Sequence, residues 1–180
     1  KGDLVSSIKF HFDDDQVHGV VFSEVLENQE GQYYFLGRLE LQKGNEGHIY
    51  FLKANSDGSL IYSKFVANGP DYRIRSAVFT PKGNLLVLAD GYGRKGGLLY
   101  FEMSPDGKIL WSRQMTSAQY DQAIRVLGAE KGSWIIWDRL FRFSGFHIDP
   151  KGQSCLSDEQ FPEMQLQDLA VQTDHFKGQL

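Results

Sequence analysis

One nine-residue stretch constrains this chain more than any other because it recurs. Ser104-Pro-Asp-Gly-Lys-Ile-Leu-Trp-Ser112 is preceded by Asn55-Ser-Asp-Gly-Ser-Leu-Ile-Tyr-Ser63 and followed by Asp149-Pro-Lys-Gly-Gln-Ser-Cys-Leu-Ser157. Lys1-Gly-Asp-Leu-Val-Ser-Ser7 reads as a further copy, cut at its start. The shared glycines are Gly2, Gly58, Gly107 and Gly152, with spacings of 56, 49 and 45 residues. A unit repeated at that interval cannot bury its own apolar faces and must stack on its neighbours, as in solenoids, propellers and arrays.

Each copy places a Gly-bearing polar turn before a run of β-branched and aromatic residues, which is a turn followed by a strand. Further strands read from the same signals at 1–10, 19–26, 33–37, 49–53, 74–80, 84–89, 98–103, 123–129, 133–137 and 141–148. No stretch holds a helical period over three turns; the best candidate, 165–171, aligns with a strand of the earlier repeats. Short strands at even spacing between Gly, Asp, Asn and Pro turns predict an all-β protein. The units fall at 19–66, 74–115 and 123–160, with four strands each. Residues 1–10 are expected to close a preceding unit and 165–180 to start a further one, since Ala170-Val-Gln-Thr-Asp-His-Phe-Lys-Gly echoes Ala77-Val-Phe-Thr-Pro-Lys-Gly.

Four short antiparallel strands per unit match one blade of a β-propeller, so the predicted fold is a propeller segment of about three blades with partial flanking blades. Known propellers need roughly 4–8 blades to close. The segment is therefore expected to be part of a larger propeller or to pair with another copy, with an apolar blade face to be covered.

The 180 residues carry 19 basic and 23 acidic side chains, for a net charge of −4, which argues against a nucleic-acid partner. No apolar run approaches the roughly 20 residues of a membrane-spanning helix. The single cysteine, Cys155, has no internal partner.

Several constellations invite a chemical reading and fail it. Asp13, Asp14 and Asp15 with His11 and His18 suggest a metal loop, but consecutive side chains of an extended segment diverge, and the spacing of a calcium loop is missing. Ser104-Pro-Asp-Gly107 resembles an Asp box but lacks the spacer between Asp and Gly, and reads as a hairpin turn. Asp90-Gly-Tyr-Gly-Arg-Lys-Gly-Gly97 is glycine-rich and basic, yet it lacks the Gly-Lys-Ser/Thr ending and the helix of a phosphate loop. Cys155 with His147 or His175 has no third group to complete a nucleophilic site. Trp111, Trp134 and Trp137 read first as packing; Trp137, beside Asp138 and Arg139, is the best candidate for exposure. No catalytic residue, cofactor or metal ligand is assigned.

The repeat, written as Asp-Gly, any residue, two apolar residues, an aromatic, Ser and Lys or Arg, then an Asp-bearing loop, an apolar strand, Lys-Gly-Asn, a Gly-rich loop and apolar-Tyr-Phe, resembles propeller repeats of secreted and surface proteins of Bacteroidetes, many exported by the type IX route. Lys151-Gly-Gln-Ser-Cys155 is similar to an element near the end of such repeat regions. Quinoprotein-type and kelch-type propellers share the general pattern, but the kelch Gly-Gly signature occurs only at Gly96-Gly97. The resemblance implies a secreted, cell-surface or periplasmic protein and a non-catalytic binding or scaffold module with protein or glycan partners, and it implies that the Trp-bearing strand 108–115 is the outermost of its blade. Its alternatives are part of a propeller enzyme whose catalytic residues lie in other blades, and a structural subunit of a larger assembly.

In a propeller, the loops entering the innermost strands and those between second and third strands share one face. Those loops hold Asp14, Asp71, Tyr72, Arg73, Arg94, Lys95, Tyr120, Asp121, Asp138 and Arg139. Asp71, Tyr72, Arg73, Arg94, Tyr120, Asp121, Trp137 and Arg139 are the expected contact residues, since interfaces favour Tyr, Trp and Arg.

Overall fold

The computed structural model describes residues 7–12, 17–42, 47–68, 71–91, 97–115, 122–129, 131–139, 142–154, 159–160 and 163–176. The recurring stretch is a tight turn each time. Gly58, Gly107 and Gly152 donate their N–H to the carbonyls of Asn55, Ser104 and Asp149 at 2.8–2.9 Å. They hold φ of 83°, 77° and 75°, a region in which a Cβ is penalised.

The described strands are β1 (Ser7–Phe12), β2 (Val17–Glu27), β3 (Tyr33–Leu41), β4 (Gly47–Ala54), β5 (Leu60–Val66), β6 (Tyr72–Phe79), β7 (Leu85–Gly91), β8 (Leu98–Met103), β9 (Ile109–Met115), β10 (Gln122–Ala129), β11 (Gly132–Arg139), β12 (Arg142–Ile148), β13 (Glu159–Gln160), β14 (Leu166–Asp168) and β15 (Val171–Phe176). They form small antiparallel sheets. Sheet I has the order β14-β5-β4-β3-β2, sheet II β13-β9-β8-β7-β6 and sheet III β10-β11-β12; β1 and β15 pair as a ribbon. The protein is all-β.

Alternation along the strands explains why the sheets stack in series. In β8, Leu99, Phe101 and Met103 join the core between sheets I and II, while Leu98 and Tyr100 join the core between sheets II and III. In β4, Ile49 and Phe51 face sheet II, while Tyr50 and Leu52 face the ribbon, where Phe12 meets Tyr50 edge-on at 5.8 Å. Strands buried on both faces read as continuous apolar runs, which is how Leu85-Leu-Val-Leu-Ala89 reads. Among its described residues, sheet III shows apolar side chains to solvent on the face away from sheet II. Val126, Ile135 and Phe146 point inward, while Leu127 and Trp134 stay 44% and 48% exposed.

The C-terminal strands depart from the repeat. The spacing predicts that residues 154–160 complete a third four-stranded unit, but β13 pairs with β9 of sheet II (Glu159↔Met115, Gln160↔Gln114). The segment 165–180, expected to start a further unit, instead pairs β14 with β5 (Leu166↔Val66 to Asp168↔Lys64) and β15 with β1 (Val171↔Phe12 to Phe176↔Ser7). The chain thus runs back along the outer edges of sheets II and I, and strand 108–115 is not the outermost of its sheet. Unpaired edges explain the return path: β5 and β9 present free backbone groups, and any nearby extended segment can satisfy them. Asn68 holds the tail in place, donating from Nδ2 to the Glu163 carbonyl (2.8 Å) and accepting from Gln165 N–H at Oδ1 (2.6 Å).

Candidate functional site

The connections divide between two ends of the stack. At one end lie the start of β6 and the end of β7, next to which the sequence predicts contact residues. Asp71 takes a two-pronged hydrogen bond from Arg38 of β3, Nε to Oδ1 at 3.1 Å and Nη2 to Oδ2 at 2.9 Å. Arg38 Nη1 also donates to Glu40 at 2.8 Å. Asp71 therefore spends its acceptors tying sheet I to the start of β6. Tyr72 is 6% exposed and sits in the core between sheets I and II; burial pushes its phenol up to about 12. As an expected surface contact, Tyr72 is corrected to a core residue, because its strand alternation turns it inward with Ile74.

Arg73 lies in β6, paired in register with Asp90. Asp90 accepts from Arg75 Nε at 2.8 Å and is itself buried. Arg94, Tyr120 and Asp121 fall outside the described residues, as do Asp14 and Lys95. Trp137, Asp138 and Arg139 lie in β11, where their backbones pair with Ser144, Phe143 and Arg142.

The rejected constellations resolve locally where they are described. His11 Nε2 lies 2.7 Å from Asp174 Oδ2 across the ribbon. Among the described residues no three His, Cys, Asp or Glu side chains group to hold a metal. Ser104 Oγ donates to Asp106 inside the turn, and Lys108 holds the Asp106 carboxyl down at about 2. Cys155 lies outside the described residues, while the His147 ring packs edge-on against Trp134 at 5.4 Å.

The opposite end, built from the short turns, holds a cleft at the seam between sheets II and III. Its volume is about 110 Å³, and Thr80, Pro81, Lys82, Leu86, Glu102, Trp111, Gly132, Ser133, Ile148, Asp149 and Pro150 line it. The 5%-exposed Glu102 stands in its wall; Oε1 accepts from Asn84 Nδ2 and Oε2 from Trp111 Nε1, both at 2.6 Å. Thr80 Oγ1 is buried without a partner.

Strand register shows why this seam is open and the preceding one is filled. Tyr34 pairs with Lys53 in sheet I as Leu86 pairs with Glu102 in sheet II. Phe79, Leu85 and Met103 line up in sheet II as Gly128, Ser133 and Ile148 do in sheet III. Between sheets I and II, Tyr34 meets Phe79 edge-on at 5.2 Å. The buried Lys53 crosses the seam to donate from Nζ to the Pro105 carbonyl (3.0 Å), with its ammonium 4.8 Å from the Tyr34 ring. Between sheets II and III, Leu86 stands for Tyr34, Glu102 for Lys53, Gly128 for Phe79 and Ser133 for Leu85. Bulk is lost and a cation becomes an anion. A search by motif misses this site; a position-by-position comparison of the repeats carries the signal.

Several small antiparallel sheets define the class of protein, which is all-β. The sequence matches no protein-family model and no curated protein. The fold resembles the crystal structure of a protein of unknown function from Bacteroides caccae, with a TM-score of 0.51 at 16% identity over 77% of this chain. The match spans 46% of that protein, less than half its length. At this identity the likeness concerns the fold.

Proposed function

We propose that the chain is a segment of a β-propeller and serves as a binding or scaffold module of an exported or cell-surface protein, with a polypeptide as partner. The observation that carries this reading is that, among the described residues, sheet III shows Leu127 and Trp134 to solvent on the face away from sheet II, whereas sheet II packs apolar side chains against a neighbouring sheet on each of its faces. A further sheet of the same kind, from the same protein or a second copy, is the natural cover for that face of sheet III. The contact of β2 with β6 and of β6 with β10 supports the reading, since in a propeller the first strands of successive blades lie side by side. So does the greater length of the Bacteroides structure. The exported setting rests on the repeat's resemblance to surface proteins.

Light scattering on the chain by itself tests the role of that face. Self-association above 20.5 kDa is expected, and a Leu127→Ser/Trp134→Ser variant is expected to run as the monomer. A wild-type chain that stays monomeric at high concentration refutes the reading.

A further inference from the structure

We infer that the cleft between sheets II and III is a receptor for a primary ammonium on an unbranched aliphatic stem, namely a lysine side chain presented by a partner polypeptide. The inference deepens the binding-module reading and rests on it only for the partner being a polypeptide.

The molecule carries its own template. Between sheets I and II the equivalent space is occupied by Lys53, whose stem is buried and whose ammonium reaches the Pro105 carbonyl over an aromatic face. Pro150 occupies Pro105's place in the equivalent turn and lines the cleft. The residue that should bridge to it is Glu102, which is an acceptor and folds back on Asn84 and Trp111 of its own sheet. Glu102 thus stands on one side of the gap and Pro150, in the place of the proline whose carbonyl Lys53 reaches, on the other, with the unpartnered Thr80 hydroxyl beside them. The remaining wall is apolar: Leu86, Ile148, Pro81 and the Trp111 ring. A carboxylate desolvated with two neutral donors is completed by a cation. The aliphatic stem of lysine fits an apolar slot that an amino group alone does not fill.

Size narrows the class further. At about 110 Å³ the cleft is far smaller than the roughly 300–1,000 Å³ of a pocket for a drug-sized ligand, and it suits one side chain. Lys82 lines the rim but is exposed, and none of the ion pairs among the described residues joins it to Glu102.

The test is an NMR titration of the chain with Nα-acetyl-lysine N-methylamide, read at the Trp111 indole N–H, against the norleucine analogue and n-butylamine. The lysine compound is expected to bind about ten-fold or more tightly than norleucine, the ratio one charge-assisted hydrogen bond supplies. It is also expected to bind more tightly than n-butylamine, because the backbone groups add contacts at the rim. Glu102→Gln should remove the preference for the cation while the retained indole signal reports an intact fold. Glu102→Lys should fill the cleft from within, as Lys53 does, and abolish binding. Lys82→Ala should leave the lysine affinity unchanged or tighten it. Equal binding of lysine and norleucine, or an undisturbed indole signal, overturns the inference. Equal binding of n-butylamine overturns the side-chain source in favour of a free amine. Loss of binding in Lys82→Ala overturns the role given to Glu102. None of these readouts depends on the oligomeric state, so failure here and failure of the propeller reading are separable.

Discussion

Gly152 is where the repeat's turn meets the preceding sheet, and replacing it isolates the energy of that meeting. At φ 75° a side chain is strained, and a Cβ built there falls 2.6 Å from three carbons of the Trp111 ring. Gly83 is the control: its φ is 77°, but nothing lies within 4 Å of its Cβ position. Left-handed backbone costs an L-residue about 1–2 kcal/mol. Alanine recovers about 0.4–1 kcal/mol by restricting the unfolded chain, equally at both sites. Gly83→Ala should therefore destabilise by about 1 kcal/mol. Gly152→Ala adds the cost of overpacking against a half-buried indole, about 1–3 kcal/mol, for a total near 2–4 kcal/mol. Urea denaturation followed by circular dichroism reads both, and at this chain length each kcal/mol also moves Tm by about 2–4 °C. The excess should vanish in a Trp111→Leu background, giving a coupling of about 1–3 kcal/mol in the double-mutant cycle. Equal losses at Gly83 and Gly152, or no coupling to Trp111, refute the argument that the turn glycine is selected by the neighbouring ring.

Two further outcomes follow from burial. Leu169 of the returning tail is 6% exposed among Phe10, Tyr50 and Leu60, and its N–H donates to the Ser63 carbonyl at 2.9 Å. Leu169→Ala should cost about 2–4 kcal/mol in urea denaturation, against less than about 0.5 kcal/mol for the half-exposed Leu110→Ala; similar losses would mean that the tail is not docked. Tyr50 is fully buried, and desolvation raises its phenol to about 12, opposed by its hydrogen bond to Ser63. A raised pKa in the folded state gives stability that is complete below pH about 10 and lost between about 10 and 12, with a slope near 1.4 kcal/mol per pH unit for this group. Stability measured across that interval should fall in wild type and less steeply in Tyr50→Phe; identical slopes would show that Tyr50 titrates normally.

The strands and turns were legible because their signals are local. Asp57-Gly58 and Asp106-Gly107 specify their turns with two residues, and the run Leu85–Ala89 announces a strand buried on both faces. The tail was not legible because its pairings are non-local. Leu166-Gln-Asp168 carries no strand signal of its own and becomes one only against the open edge of β5. Tyr72 misled for a related reason: beside Asp71 and Arg73 it reads as part of a polar loop, yet alternation from Ile74 fixes it inward. The cleft lies between these cases. Its defining changes, Lys53 to Glu102 and Tyr34 to Leu86, are visible in an alignment of the repeats, but only the sheet register identifies which positions correspond.

That register exposes one pattern at both ends of the stack. The seam between sheets I and II is crossed by two cations, Arg38 to Asp71 at the loop end and Lys53 to the Pro105 carbonyl at the turn end. In sheet II the same two positions are Asp90 and Glu102. Both acids turn back onto their own sheet, Asp90 to Arg75 and Glu102 to Asn84 and Trp111. A repeat that only had to stack would gain nothing by reversing charge at both crossing points. Among the described residues, the reversal buries two carboxylates and leaves, at the turn end, a gap with Glu102 in its wall where Lys53 fills the preceding seam. Burying a carboxylate is costly unless its hydrogen bonds are satisfied, so the internal donors keep the seam stable while it is empty. The remaining acceptor capacity is what an incoming ammonium meets, which makes this seam the one whose stability a cationic partner can raise.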